Sequence, residues 1–331
     1  MFKIKSGRLA IVLAAVAGLL ILNVPGVALA AGGNGLRVTP VRTPDDLTIK
    51  PGASKTIYVT VTNITTTPAN LRVIINDFTA SSDESGQPAL LLTPGQFAPK
   101  HSLKRFVKDI PNFTLQPGQQ KTISIPIAIP ADASGGGYYG TVRFAPAGSG
   151  GQDKTVTLAG SVGSLILVRV PGDVKDQLSI ASFDARQNGT TKSLFFSNKK
   201  ISSVIRFQNE GNIQEQPFGK ILLKDRSNKI LGEYEINDVE PRGNVLPDTI
   251  RKFETPIDKI GKFGIYKLVG NFGYGSNGQL LSASTTIYVI PFIFIIGFVV
   301  LVALLLFLIF GLPKLIRAYN QRIINQAGRR R

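Results

Sequence analysis

The amino-acid sequence predicts an all-β protein with two tandem Ig-like β-sandwiches, followed by one C-terminal transmembrane α-helix. Three observations support this prediction. Short segments alternate apolar and polar residues with a period of two, which is typical of half-buried strands. Turn signals that contain glycine or proline recur between these segments. One long uncharged apolar stretch lies near the C-terminus.

The N-terminal segment, residues 1–30, is predicted to be a secretory signal peptide. An uncharged apolar run over residues 9–22 follows a basic start and precedes the small-x-small site Ala28-Leu29-Ala30. The alternative is an uncleaved N-terminal anchor, but the run is short for a spanning helix. The basic residues of the start are Lys3, Lys5 and Arg8.

Two β units follow, residues 31–172 and residues 173–289. We place their boundary near residues 170–174, and each unit is large enough to bury its own core. The clearest strand of the first unit, residues 56–62, alternates strictly between apolar and polar side chains. The strand that ends at Asn209 in the second unit resembles the strand that ends at Asn63 in the first.

A second alternating segment of the first unit covers residues 122–127 and contains Pro126. Proline has no backbone N–H and cannot donate to a sheet ladder. We therefore expect this strand to lie at the edge of its sheet.

The C-terminal apolar stretch, residues 290–312, is predicted to be the transmembrane helix. A helix of this length rises about 35 Å, which is enough to cross a hydrocarbon core of about 30 Å. The tail, residues 313–331, contains six basic residues and no acidic residue. Basic segments stay in the cytoplasm, so we expect a single-pass type I protein of the cell membrane with an extracellular ectodomain.

The formal net charge of +17 is concentrated at the two ends of the chain. Three basic residues lie in the signal segment and six in the tail, which leaves 29 basic and 21 acidic residues in the ectodomain. No stretch combines basic and aromatic residues as a nucleic-acid surface would, so a nucleic-acid partner is not expected.

The composition argues against an enzyme. The chain has no Cys and a single His, His101, in a polar loop where we expect it to be solvated. No nucleotide-binding, metalloprotease or hydrolase motif occurs. Asp83 and Glu84 are adjacent in a Ser/Gly-rich loop, where a solvated hairpin is favoured over a calcium site. We therefore predict no catalytic residue, no cofactor and no metal site.

Two adjacent tyrosines, Tyr138 and Tyr139, lie inside a glycine-rich segment and are the candidate ligand contacts. Their rings could stack on sugar rings while the glycines admit a polymer to the backbone. The alternative, which we favour, is that the glycines only permit a tight bend into a strand over residues 141–144. Neighbouring side chains of a strand face opposite ways, so at most one of the two tyrosines should lie in the core and the other should be exposed.

Several segments of the two units, together with the terminal apolar stretch and basic tail, carry a family resemblance. They are residues 51–63, 77–86, 113–118 and 130–140 in the first unit and residues 209–212 and 245–248 in the second. On these segments the ectodomain resembles the bacterial WxL-interacting cell-surface proteins. This resemblance implies a first domain that binds peptidoglycan, a second β domain that binds a partner or host-surface protein, and a terminal membrane anchor.

The sequence therefore predicts a non-catalytic, membrane-anchored surface protein that binds or adheres to a cell-envelope polymer, a partner surface protein, or both. One alternative is a membrane-tethered assembly factor that holds other exported proteins through sheet-edge pairing. Another is a hydrolase with an unrecognised carboxylate site, which the missing motifs disfavour.

Overall fold

The structure is a computed structural model that describes residues 35–147 and 161–328, so the predicted signal peptide lies outside the described residues. The first sandwich is built from β1 (Leu36–Thr39), β2 (Ser54–Asn63), β3 (Ala69–Ala80), β4 (Pro88–Leu90), β5 (Phe113–Leu115), β6 (Gln120–Ala128), β7 (Gly136–Pro146) and β8 (Val162–Val170), with a short 3-10 turn over Lys104–Phe106.

The two sheets of the first sandwich have the strand orders β1-β2-β6 and β4-β3-β7-β8, and β5 pairs with β3. All of these pairs are antiparallel. The pairs β2–β6 and β3–β7 join strands that are distant in sequence, as the Greek-key connections of an Ig-like sandwich do. Apolar side chains from both sheets pack into one core.

The predicted edge position of Pro126 is confirmed. β6 pairs with β2 on one side, and on the other side the described residues contribute only an isolated bridge between Val107 and Ile127. Ile123, Ile125 and Ile127 are buried, whereas Pro126 is exposed. The proline therefore faces solvent on a strand that does not need its N–H.

The second sandwich repeats this plan with its own core. Its sheets have the orders β10-β9-β12-β15 and β11-β17-β16-β13-β14. The strands are β9 (Leu178–Gln187), β10 (Thr190–Thr191), β11 (Leu194–Phe195), β12 (Ile201–Asn209), β13 (Phe218–Asp225), β14 (Ile230–Ile236), β15 (Ile250–Pro256), β16 (Gly264–Tyr274) and β17 (Gln279–Val289). The fold class expected from the sequence, two tandem Ig-like β-sandwiches, is thus confirmed.

An asparagine closes the second strand of the first sandwich. Asn63 is fully buried, and its side-chain nitrogen donates to the carbonyl oxygens of Thr67 (2.8 Å) and Leu115 (3.2 Å). Its side-chain oxygen accepts from the backbone N–H of Thr65 at 3.0 Å.

Asn209 makes the same set of contacts at the end of β12. Its side-chain nitrogen donates to the carbonyl oxygens of Ile213 (2.7 Å) and Val245 (2.8 Å), and its side-chain oxygen accepts from the N–H of Gly211 at 2.9 Å. We call this arrangement, at Asn63 and at Asn209, the asparagine clamp. It fixes the loop that follows the strand in each sandwich.

The C-terminal region is one continuous helical rod. It comprises α1 (Phe292–Leu306), a π-helical turn (Phe307–Gly311) and α2 (Leu312–Gly328). Of the described helices, the one over Phe292–Arg322 is long and apolar enough to cross a membrane, with a mean hydropathy of 3.5 in its most apolar window. The helix begins two residues later than predicted, because Pro291 precedes its first turn. Most of the predicted tail continues the helix.

Candidate functional site: the junction groove

The glycine-rich segment of β7 is the place where the two sandwiches meet. The backbone N–H of Gly137 donates to the carbonyl oxygen of Asn212 at 2.8 Å. A Cβ atom at Gly136, whose φ is +141°, would lie 2.8 Å from that same oxygen, and a Cβ at Gly135 would lie 2.7 Å from the backbone nitrogen of Asp173. Only glycine permits this close approach of two backbones.

This finding corrects the interpretation of the glycines as a bend before residues 141–144. β7 already begins at Gly136 and contains both tyrosines. A glycine run weakens a strand in general, but it also marks close approach of another backbone, which is the case here.

Asn212 is the central residue of the junction on the second sandwich. Its side-chain nitrogen donates to the carbonyl oxygens of Asp173 (2.7 Å) and Gly135 (3.1 Å), and its side-chain oxygen accepts from the N–H of Lys175 at 2.8 Å. One side chain therefore ties together the linker, the first sandwich and the loop that the Asn209 clamp fixes.

Tyr139 belongs to this junction and is not available to a ligand for ring stacking. The residue is 2% exposed, and its hydroxyl donates to the side-chain oxygen of Gln214 at 2.9 Å. Burial raises the pKa of the Tyr139 phenol well above its ordinary value, which keeps it a neutral donor. Phe78, Tyr139 and Leu167 form a small apolar cluster, against which Leu246 of the second sandwich packs.

Glu84 makes a second connection between the sandwiches. Its carboxylate accepts from two nitrogens of Arg206 on β12, at 2.7 Å for the Nε contact, and its carbonyl oxygen accepts from the N–H of Lys252 at 2.9 Å. The hydrogen bonds from Arg206 lower the pKa of the Glu84 carboxyl. The expectation of a solvated Asp83–Glu84 hairpin is therefore wrong for Glu84, although Asp83 remains exposed.

Between these contacts lies an open groove of about 590 Å³, which we call the junction groove. The first sandwich contributes Tyr138, Phe106, His101, Lys100 and Arg105, and the second sandwich with its linker contributes Asp173, Lys175, Glu210, Asn212 and Asp248. Lys100 and Asp248 form an ion pair across it at 2.8 Å, with both side chains largely exposed.

Tyr138 is the tyrosine that faces the junction groove. Its ring is half-buried and packs edge-on against Phe106 with centroids 4.9 Å apart, and its hydroxyl donates to the carbonyl oxygen of Ser134 at 2.9 Å. The predicted alternation of the two tyrosines is therefore found, with Tyr139 inside and Tyr138 partly exposed. The remaining face of a fixed aromatic ring is a surface on which a sugar or peptide group can pack.

His101 also lines the junction groove and is not freely solvated, contrary to expectation. The Nδ1 atom of His101 lies 2.7 Å from the carbonyl oxygen of Gly137. Because a carbonyl oxygen only accepts hydrogen bonds, Nδ1 carries the proton and donates it. The ring lies 5.8 Å from that of Tyr139. These contacts hold the imidazole ring of His101 in place at the wall of the junction groove.

A smaller cavity of about 220 Å³ opens nearby and contains a buried acid, Glu215. The residue is 3% exposed, and its Oε2 accepts from the N–H of Gly275 at 3.1 Å. Burial, together with the nearby carboxylate of Asp176, raises the pKa of Glu215 to about 7. In the described part of the chain no group of three or more His, Asp or Glu side chains could hold a metal ion.

The sequence did not indicate the junction residues Glu84, Arg206, Asn212 and Gln214. Each is a polar side chain that has a partner in the other sandwich more than 70 residues away. The similarity between the sequences around Asn63 and Asn209 was the one available signal for the junction, because it indicated a fixed loop next to Asn212.

Comparison with known proteins adds likenesses of fold. No known protein family matches the sequence, and no curated protein matches it. Among solved structures, the chain is similar to the class 5 fimbriae chaperone CfaA, with 13% identity, a TM-score of 0.37, and coverage of 78% of this chain and 100% of that one.

The E. coli chaperone DraB gives 14% identity, a TM-score of 0.32, and coverage of 77% of this chain and 96% of that one. The Pseudomonas aeruginosa CupB2 chaperone gives 10% identity, a TM-score of 0.31, and coverage of 75% and 98%. At these identities and TM-scores the likeness carries no conclusion about function.

Proposed function

We propose that this protein is a non-catalytic, membrane-anchored binding protein of the cell surface, and that its junction groove holds an extended polar polymer of the cell envelope. The observation that carries the proposal is the junction groove itself, with the Tyr138 ring on one wall and charged side chains of both signs along the other. Ligand sites favour such a combination of aromatic surface and convergent polar groups.

The rigidity of the junction groove supports the proposal. Its two walls belong to different sandwiches, but backbone and side-chain hydrogen bonds through Asn212 hold them together. A preformed site loses less conformational freedom on binding than a flexible one. The sequence resemblance to the WxL-interacting proteins favours peptidoglycan as the polymer, and the apolar helix α1 would hold the ectodomain at the membrane.

The test is co-sedimentation of the full chain in detergent micelles with insoluble peptidoglycan. Tyr138→Ala should raise the apparent Kd, taken from a titration of the peptidoglycan, by about five- to tenfold, because an aromatic contact contributes about 1–1.5 kcal/mol. The matched control is Tyr58→Ala, since Tyr58 is a 62% exposed tyrosine on β2 outside the junction groove. Equal binding by the wild type and both variants would reject the junction groove as the site.

Sheet-edge pairing with an exported partner is the second candidate, and one observation favours it. Along its outer side β9 is paired by β10 only at Arg186 and Gln187, so residues 178–184 present a backbone edge without a ladder partner among the described residues. An extended peptide could add there as a strand. Replacing Ser182 by Pro should abolish partner capture in this case and leave peptidoglycan sedimentation unchanged.

A further inference from the structure

The end of the second sandwich from which the helix departs has an unusual surface. Ile290, one residue after β17, donates its N–H to the carbonyl oxygen of Phe195 at 2.8 Å, and the helix begins two residues later. β17 also pairs with β16 at Gly264. The loops over residues 196–200, 225–229 and 257–263 therefore meet at this end, which we call the helix-proximal face.

Two exposed phenylalanines on these loops contact the first turn of α1. The ring of Phe196 stacks on that of Phe292 with centroids 4.2 Å apart, and the ring of Phe263 lies 4.8 Å from that of Phe294. Phe196 is 36% exposed and Phe263 56% exposed. These contacts place both loop aromatics at the level where the apolar helix starts.

An apolar depression opens beside Phe263. It has a volume of about 470 Å³ and is flanked by Ile265 and Tyr288, which are 41% and 40% exposed. Tyrosine and phenylalanine at the start of a spanning helix are typical of the membrane–water interface. The depression is therefore apolar surface that lies next to the helix and not next to the first sandwich.

The charge of the helix-proximal face is strongly basic. Its three loops carry six basic and two acidic side chains, and all six basic side chains are exposed. No ion pair involves any of the six within the described residues, whereas Asp225 and Asp258 accept hydrogen bonds from Ser227 and Tyr234. The basic residues are Lys199, Lys200, Arg226, Lys229, Lys259 and Lys262.

The opposite end of the same sandwich has the reverse charge. The linker and loops over residues 171–177, 210–217, 237–249 and 275–278 carry seven acidic and two basic side chains. Part of this acidic end faces the first sandwich at the junction, where Asp248 pairs with Lys100. A basic end beside an apolar helix, with an acidic end away from it, is the distribution that an anionic surface at the helix end would favour.

We propose that the helix-proximal face is a docking surface for the anionic bilayer into which α1 inserts, with Phe196 and Phe263 in the interfacial layer and the six basic side chains on lipid headgroups. This inference rests on the membrane anchoring proposed above. In this arrangement the second sandwich rests on the membrane in one fixed orientation and does not reorient freely about its helix.

The experiment uses the full chain, which has no Cys and no Trp, so single probes are unique. Ser227→Cys carries a nitroxide on a loop that does not contact the helix, and Asn277→Cys carries one on the acidic end as the matched control. Each spin-labelled variant is reconstituted once in nanodiscs of neutral phosphatidylcholine and once in nanodiscs that also contain anionic phosphatidylglycerol.

Collisions of the nitroxide at residue 227 with a water-soluble nickel chelate should fall by at least about fivefold when the anionic lipid is present. The probe at residue 277 should not respond. Replacing Arg226, Lys229, Lys259 and Lys262 together by Gln should remove the response, and these exposed substitutions leave the core intact. An equal response of the two probes would overturn the proposal.

A second measurement uses the variant Phe263→Trp and, as control, Phe218→Trp at the opposite end. Brominated lipid should quench the tryptophan fluorescence of the Phe263→Trp variant and leave that of the control variant unaffected. For this measurement both variants are reconstituted in lipid vesicles. Alkaline carbonate extraction of these vesicles then separates the proposal of membrane anchoring from the proposal of docking. If the chain resists extraction but the fluorescence of the Phe263→Trp variant is not quenched, only the docking is wrong. If the chain is extracted, membrane anchoring and docking both fail.

Discussion

The loop after β2 in the first sandwich and the loop after β12 in the second are held by the same asparagine clamp, but the two sandwiches use this loop differently. The loop held by Asn63 lies at the end of the first sandwich where β1 begins, since Asn63 pairs with Leu36, and this end is remote from the start of β7. The loop held by Asn209 carries Asn212 into the first sandwich.

The comparison shows how a structural motif, the asparagine clamp, can acquire an additional role. The clamp fixes the backbone in both sandwiches, and only the residues beyond it decide what the loop contacts. In the second sandwich these residues build one wall of the junction groove. Substitutions in the clamps and at the junction can separate the stabilising effect of the clamp, which both sandwiches share, from the contact of Asn212 with the first sandwich.

The largest expected effect is the loss of a clamp. Asn209→Ala removes three buried hydrogen bonds, including those to the carbonyl oxygens of Ile213 and Val245, so we expect a loss of about 3 kcal/mol in the free energy of unfolding. Asn63→Ala should cost about the same. Chemical denaturation of each variant measures both values.

The two clamp variants should differ in hydrogen exchange at the Gly137 N–H, which donates to Asn212. Asn209→Ala should accelerate this exchange, because the loop that carries the acceptor is released, whereas Asn63→Ala should not. Equal protection of Gly137 in both variants would show that the junction does not depend on the second clamp.

A glycine at the junction should matter more than a glycine in a free turn. Gly136→Ala places a Cβ atom 2.8 Å from the Asn212 oxygen at a φ of +141°, so we expect a loss of about 2–3 kcal/mol. Gly118→Ala has a φ of +73° with nothing within 4 Å and should cost about 1 kcal/mol. Thermal unfolding followed by circular dichroism compares them, and equal losses would count against the close approach.

Glu215 should make the stability of the second sandwich depend on pH. Its pKa is about 7 in the fold against an ordinary value of 4.5, so the folded state binds the additional proton between these values. Stability contributed by this proton is present below pH 4.5 and is lost as the pH rises through 7.

Glu215→Gln keeps the shape of the side chain and removes its titration. The melting temperature of the wild type should therefore fall relative to that of the variant by about 2–4 °C between about pH 5 and pH 8. Melting curves of both proteins at the two pH values provide the measurement. Parallel pH profiles would show that Glu215 is ionised in the fold throughout.

The smallest expected effect concerns the ion pair between Glu84 and Arg206. Arg206→Gln should cost at most about 1 kcal/mol, since both side chains are partly exposed, and the loss should shrink in high salt. Lys220→Gln is the control, because Lys220 pairs with Glu233 within the second sandwich and both are half exposed. Chemical denaturation at low and high salt measures both losses. A larger loss of unfolding free energy for Lys220→Gln than for Arg206→Gln would show that the junction ion pair contributes no more than an ion pair within one sandwich.

Local patterns were sufficient to predict the strands and the apolar helix. Alternation identified β2 and β6, the missing N–H of Pro126 placed β6 at an edge, and charge-free length identified α1. These features depend on residues that are neighbours in sequence, so the sequence carries their signal directly.

The junction could not be predicted in the same way. Tyr139 looks like a candidate ligand contact until the second sandwich covers it, and Glu84 looks solvated until Arg206 reaches it. Their environments depend on how two independently folded units are placed, and no local periodicity encodes that placement. The glycines before Tyr138 suggested a tight bend or access for a polymer, whereas the group that approaches them is the backbone at Asn212.

The terminal strands of the second sandwich determine how the protein carries mechanical load. β9 starts at Leu178, just beyond the junction, and β17 ends at Val289, just before the helix. If the junction groove holds a ligand and the helix anchors the chain, as proposed, tension between them would pull these two strands in opposite directions along their own axes. β17 is paired with β16 along all eleven of its residues. This ladder would then be loaded in shear, where many hydrogen bonds must break together, so the second sandwich should stay folded under such a force.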